Sequence, residues 1–111
     1  MIYLVNAFSL GMLGKDEVQL TVKEVSLEEV KEIASQAVSA IGHQSTADIL
    51  TALLETPIQM NRLNIKLKED DVLFVFQLLT RLPEGKILTA EELETLPYKF
   101  YKIEIGGLKW D

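Results

Sequence analysis

The 111 residues contain one histidine, His43, in the run Ala40-Ile41-Gly42-His43-Gln44-Ser45-Thr46-Ala47-Asp48. A glycine precedes it and an expected helix start follows. Ser45 and Asp48 have the S-x-x-D spacing of a capping box, which predicts Ser45 as the N-cap. Ile49, Leu50, Leu53 and Leu54 then recur at helical spacing. The first turn of a helix leaves N–H groups unpaired and carries partial positive charge, so it attracts anions. Imidazole is the side chain that exchanges its proton nearest to neutral pH. Together these parts suit acid catalysis at a phosphate. A lone histidine beside a helix is also commonly a cap or a packed side chain, and this run alone leaves both readings open.

Other polar residues interrupt apolar runs or stand at turns: Asn6, Ser9, Ser45, Thr46, Arg62, Gln77, Arg81, Glu84 and Lys86. Asn6 breaks an apolar strand and must find partners, either by capping the next turn or by facing a ligand. Gln77, expected to be buried, has the same need. Arg62 and Arg81 are the two arginines, and guanidinium is the group best shaped for a phosphate. Surface arginine remains the simpler reading of each. There is no second histidine, no cysteine and no carboxylate cluster with ligand spacing, so neither a metal site nor a cofactor is expected. Phosphate-loop and nucleophile-elbow motifs are absent. What remains could serve metal-free phosphodiester chemistry, with a histidine acid, an arginine to stabilise charge on phosphorus, and a carboxylate to orient one of them.

Composition narrows the partners. With a net charge of −6, a broad phosphate-gripping face for duplex DNA is not expected. A small anion in a local pocket is compatible with that charge. No apolar run approaches the roughly 20 residues of a membrane span, and no signal peptide is read at the N-terminus. The lack of cysteine fits a cytoplasmic protein. Apolar residues make up 48 %, enough for one well-filled domain.

The elements that must position these groups read as follows. Residues 2–8 form a strand buried on both faces. Residues 9–14 make a loop or short helical turn, and 17–25 a half-buried strand. Ser26 caps a helix reaching about residue 36, and 37–41 is ambiguous. The His43 run opens a helix over 46–55, stopped by Pro57. Leu63, Ile65 and Leu67 alternate with polar residues as a strand. Glu69-Asp70-Asp71 reads as a solvated hairpin tip that pairs this strand antiparallel with 72–79, the most apolar run. Thr89 caps a short helix to about residue 96, and 100–105 is the last strand. The sum is an α/β or α+β domain over 1–111, a mixed sheet of about five strands flanked by about three helices.

Four segments carry a family likeness: Leu4-Val5-Asn6-Ala7-Phe8-Ser9; Ala40-Ile41-Gly42-His43-Gln44-Ser45-Thr46; Asn61-Arg62-Leu63-Asn64-Ile65-Lys66-Leu67; and Arg81-Leu82-Pro83-Glu84-Gly85-Lys86-Ile87-Leu88. In this order they resemble the viral anti-CRISPR ring nuclease family of archaeal viruses, phages and some bacteria. The resemblance covers nearly the whole chain. It implies a homodimer whose pocket binds cyclic tetra-adenylate, the messenger of type III CRISPR defence. It also implies metal-independent cleavage to linear di-adenylate with a 2′,3′-cyclic phosphate. Catalytic roles would fall on His43, Arg81 and Glu84, and ligand contacts on Asn6, Ser9, Ser45, Thr46, Arg62 and Gln77. Members often carry aspartate directly after the histidine, where this chain has Gln44. The competing expectations are a module that only sequesters the messenger, and a dimeric regulator that contacts DNA.

Overall fold

The computed structural model describes residues 1–14, 17–81 and 88–106. Its framework is a five-stranded mixed sheet. The strands are β1 (Ile2–Val5), β2 (Leu20–Val25), β3 (Val38–Ala40), β4 (Val72–Leu78) and β5 (Tyr98–Ile105), in the spatial order β2-β5-β4-β1-β3. β1 lies parallel to both β3 and β4, with Val5 beside Ala40 on one side and Val75 on the other. β5 runs antiparallel to β4 and to β2. Among the described residues three α-helices accompany the sheet: α1 (Leu27–Ile33), α2 (Gln44–Leu54) and α3 (Ala90–Glu94).

Alternation along the strands sorts side chains onto two faces. Leu4, Phe74, Phe76 and Phe100 pack with Val30 of α1 and with Ala47, Leu50 and Leu54 of α2. Val5, Leu73, Val75, Ile103 and Ile105 occupy the other face, beneath Ile65 and Leu67 and the partly buried Phe8, Met12 and Leu13. Both faces are covered at β1 and β4, which explains their unbroken apolar runs.

Three expectations are corrected. Residues 63–67 make no strand, although Ile65 and Leu67 are buried while Leu63 is exposed. An extended segment laid across a sheet face buries every second residue just as a paired strand does, so alternation does not distinguish them. This segment is held by Leu67 N–H donating to the Met12 carbonyl at 2.8 Å. The missing strand is replaced by β3, three residues inside the ambiguous stretch, so the total of five stands with different membership.

The acidic turn is not a solvated hairpin tip. Asp71 is buried, its carboxylate accepts the Lys68 N–H at 2.8 Å, and its other oxygen lies 3.4 Å from the Met1 ammonium. A carboxylate that satisfies backbone donors in a tight turn can be drawn inside, whatever its charge suggests. The partners of β4 are β1 and β5, not the preceding segment.

The helix starts divide. Ser26 and Thr89 cap as expected, each accepting the N–H three residues on, and Thr89 with Glu92 completes a reciprocal box. Ser45 does not cap: α2 begins at Gln44, so its N-cap is His43. Asp48 accepts the Gln44 side-chain amide at 2.8 Å instead. That bond has the i,i+4 spacing of neighbours on one helix face, and it uses the group the box would have needed.

Glu55 closes α2 with φ of 54° in the left-handed region, two residues before Pro57. Its carboxylate meets Lys31 Nζ of α1 at 2.8 Å. The Lys31 hydrogen bond, aided by its charge, holds the Glu55 carboxyl below its ordinary range. A depressed carboxyl adds stability above its unfolded pKa and loses it as pH falls through the folded value. Both groups face water, so the stabilisation is small. Lys31→Ala should move the Glu55 titration, followed by carboxyl NMR, to higher pH with little change in melting temperature. An unmoved titration would show that the pair does not persist in solution.

Candidate functional site at the strand ends

The parallel strands β4, β1 and β3 point their carboxyl ends the same way, and sites in such sheets gather there. Asn6 follows β1, Gly42 and His43 follow β3, and Gln77 lies near the end of β4. Asn6 does not cap the next turn; Ser9 does, accepting the Gly11 N–H at 3.2 Å. The Asn6 Oδ1 instead accepts the Gly42 N–H at 3.0 Å, tying the end of β1 to the turn before His43. Arg62 reaches the same glycine from the other side, its Nε donating to the Gly42 carbonyl at 3.1 Å.

His43 is exposed, with extended backbone angles and its carbonyl accepting the Ala47 N–H at 3.1 Å. Its backbone therefore starts α2, while its imidazole makes no capping bond. A histidine kept for structure would ordinarily spend its ring on the helix start or in the core. This ring does neither. Ser45 and Thr46 occupy the first turn beside it, where backbone N–H groups face outward.

A cavity of about 690 Å³ opens at these strand ends. That volume suits a nucleotide-sized ligand. Asn6, Thr46 and Gln77 give it polar edges, and Phe8, Val75 and Tyr101 are among its apolar lining. Gln77 is exposed, contrary to expectation: it lies near the end of β4, one residue past Phe76, the last buried position of the strand. Tyr101 was not singled out by the sequence: in the alternation of β5 it reads as an ordinary packing residue, and nothing marks it as facing a cavity.

The structure thus joins Asn6, Gly42 and Arg62 by hydrogen bonds, and Asn6, Thr46 and Gln77 around one cavity. Ser9, His43, Ser45, Arg62 and Arg81 are not among the residues lining it. Arg81 is exposed a few residues beyond β4. Glu84 and Lys86 lie outside the described residues, so the expected Arg81–Glu84 pairing receives no geometry. No helix among the described residues is long and apolar enough to cross a membrane.

Residues 2–100 match the protein family described as STIV B116-like. The chain belongs to the STIV B116-like family. Its relatives include "Uncharacterized protein 26" of Sulfolobus islandicus filamentous virus, 38 % identical over 108 residues, which span 95 % of this chain and 92 % of the viral protein. A bacterial relative, "Uncharacterized protein YddF" of Bacillus subtilis, is 35 % identical over 83 residues, 71 % of this chain and 77 % of its own. Among solved structures, B116 of Sulfolobus turreted icosahedral virus superposes with a TM-score of 0.83 at 28 % identity, covering 93 % of this chain and 97 % of its own. The STIV B116-like family thus occurs in archaeal viruses and reaches a bacterium. The mixed five-stranded sheet is the fold that this chain has in common with B116.

Proposed function

We propose that this chain is a metal-independent ring nuclease that binds cyclic tetra-adenylate as a homodimer and opens it to linear di-adenylate. The observation that carries the reading is the His43 imidazole, exposed and unspent at the start of α2, beside strand ends that also present Asn6, Arg62, Thr46 and Gln77. The ring's own 2′-hydroxyl attacks the adjacent phosphorus. An O2′–P bond forms, the P–O5′ bond breaks, and the hydroxyl proton passes to solvent. Protonated His43 gives its proton to the departing 5′-oxygen, leaving a 2′,3′-cyclic phosphate on one product end. Arg81 stabilises charge on the phosphorane, and Glu84 orients Arg81 or favours the charged imidazole. Ser9, Ser45, Thr46, Asn6, Arg62 and Gln77 hold the ring. A two-fold dimer presents one His43 to each of two opposite linkages of a near-fourfold ligand. Loss of the messenger would end type III CRISPR signalling.

The test is incubation with cyclic tetra-adenylate in EDTA, products being weighed by mass spectrometry. Linear di-adenylate with a cyclic phosphate is the expected product. A ring bound but intact would make the protein a sequestering module, and no binding would reject the reading. Metal-restored cleavage after an inactive EDTA sample would reject the metal-free route alone.

A further inference from the structure

The segment after α2 returns along the open edge of β3. Met60 pairs with Ile41 as an isolated parallel bridge. Asn61 N–H donates to the Ile41 carbonyl at 2.8 Å, and its side-chain amide donates to the Ser39 carbonyl at 2.7 Å. Ser39 Oγ donates to the Gln59 carbonyl at 2.6 Å. Farther back, Thr51 Oγ1 on α2 accepts the Ile58 N–H at 2.9 Å, so the strap is also fastened at its start. Arg62 is the next residue after these ties, and its Nε holds the Gly42 carbonyl. That carbonyl belongs to the peptide whose N–H is His43's own. Asn6 holds the preceding N–H of Gly42. The peptides on both sides of Gly42 are therefore gripped, one by Asn6 just after β1 and one by Arg62 at the end of the strap.

An exposed arginine normally surrenders considerable rotamer entropy to any fixed contact. The Nε bond to the Gly42 carbonyl meets much of that cost in advance, and the strap sets the backbone position from which the side chain reaches it. Among the described residues no other hydrogen bond engages the Arg62 guanidinium, so its terminal nitrogens are left for a phosphate.

We propose that Ser39 and Asn61 are positioning residues: they lock the strap along β3, which seats Arg62 on Gly42 and fixes the peptide leading into His43. This rests on the ring-nuclease reading for its catalytic consequence, though the mechanical part does not. Displacements of about 1 Å from a reacting geometry can cost on the order of 100-fold in rate. The loss expected on loosening the strap is about 10- to 100-fold in kcat, with KM rising by a smaller factor.

The test uses full-length Ser39→Ala and Asn61→Ala, with Ser39→Thr as the conservative variant. In ¹⁵N-labelled protein the two arginines give two side-chain Nε–H signals, assigned through Arg62→Lys, and His43 gives the one imidazole signal. Wild type should show the Arg62 Nε–H protected from solvent exchange relative to Arg81. Both alanine variants should lose that protection, move the His43 ring signal and lower kcat on cyclic tetra-adenylate, and Ser39→Thr should keep all three. Unchanged Arg62 protection and an unmoved His43 signal in both alanine variants would overturn the proposal, even if their melting temperatures fall, because the strap would then only seal the sheet edge. A wild type that does not cleave, with variants that still lose Arg62 protection and move the His43 ring, would reject the nuclease reading and leave the positioning intact.

Discussion

His43→Ala should cut the rate of ring opening by about 10²–10⁴-fold, the usual contribution of a positioned proton donor. Binding of cyclic tetra-adenylate should change little, because the first-turn backbone of α2 and the side chains of Asn6, Thr46, Arg62 and Gln77, which the proposal assigns to binding, remain. The variant is informative because His43 contributes little to the fold. Its ring is exposed and caps nothing, so the protein should melt near the wild-type temperature. No other histidine exists in the chain to take over the proton transfer. Single-turnover cleavage with isothermal titration of the same samples separates the two effects. Full-rate cleavage by a folded His43→Ala protein would remove general acid catalysis by this residue from the mechanism.

The largest loss of stability should come from Phe76→Ala. Phe76 is 1 % exposed, and its ring packs 5.3 Å from that of Phe100 and 5.6 Å from that of Tyr98. Truncation forfeits the transfer energy of the ring, its tilted contacts with the two neighbouring rings, and the contacts of whatever void remains. Such changes cost about 3–5 kcal/mol. That is a large part of the roughly 5–15 kcal/mol by which a domain of this size is normally stable. Phe76→Leu should cost distinctly less, since it refills most of the space. Urea titration of the three proteins reads the series, and equal midpoints would mean that the aromatic cluster collapses around the gap. Phe76 also lines the cavity beside Gln77, so any alanine variant that remains folded should bind ligand more weakly.

Several elements were legible because one local signal sufficed. The apolar run of β4, the Ser26 and Thr89 caps and the Pro57 stop each depend on neighbours within a few residues. Residues 63–67 look like a strand in the sequence because alternation reports one-sided burial, not pairing. β3 is too short for a period to show. The charge of Asp71 suggests solvent, whereas its backbone partner, the Lys68 N–H, decides otherwise. At the site, Asn6 and Gln77 stood out as polar residues in apolar runs, and His43 by being alone. The link from Arg62 to Gly42 left no trace in the sequence. It joins residues brought together only by the path of the chain after α2, and a glycine carbonyl has no side chain to announce it.

β1, the first strand of the sheet in chain order, lies between strands made later. β1 has no sheet partner until β3 has left the ribosome, and its other edge stays open until β4 follows. During synthesis this double-sided apolar ribbon is therefore a hazard, open to other chains before its own neighbours exist. The strand-end site shares that schedule. Asn6 is translated early and Gln77 late, so no amino-terminal fragment ending before β4 can hold a partly working site. The pocket is complete only after β5 has emerged, because its lining runs from Asn6 to Ile103.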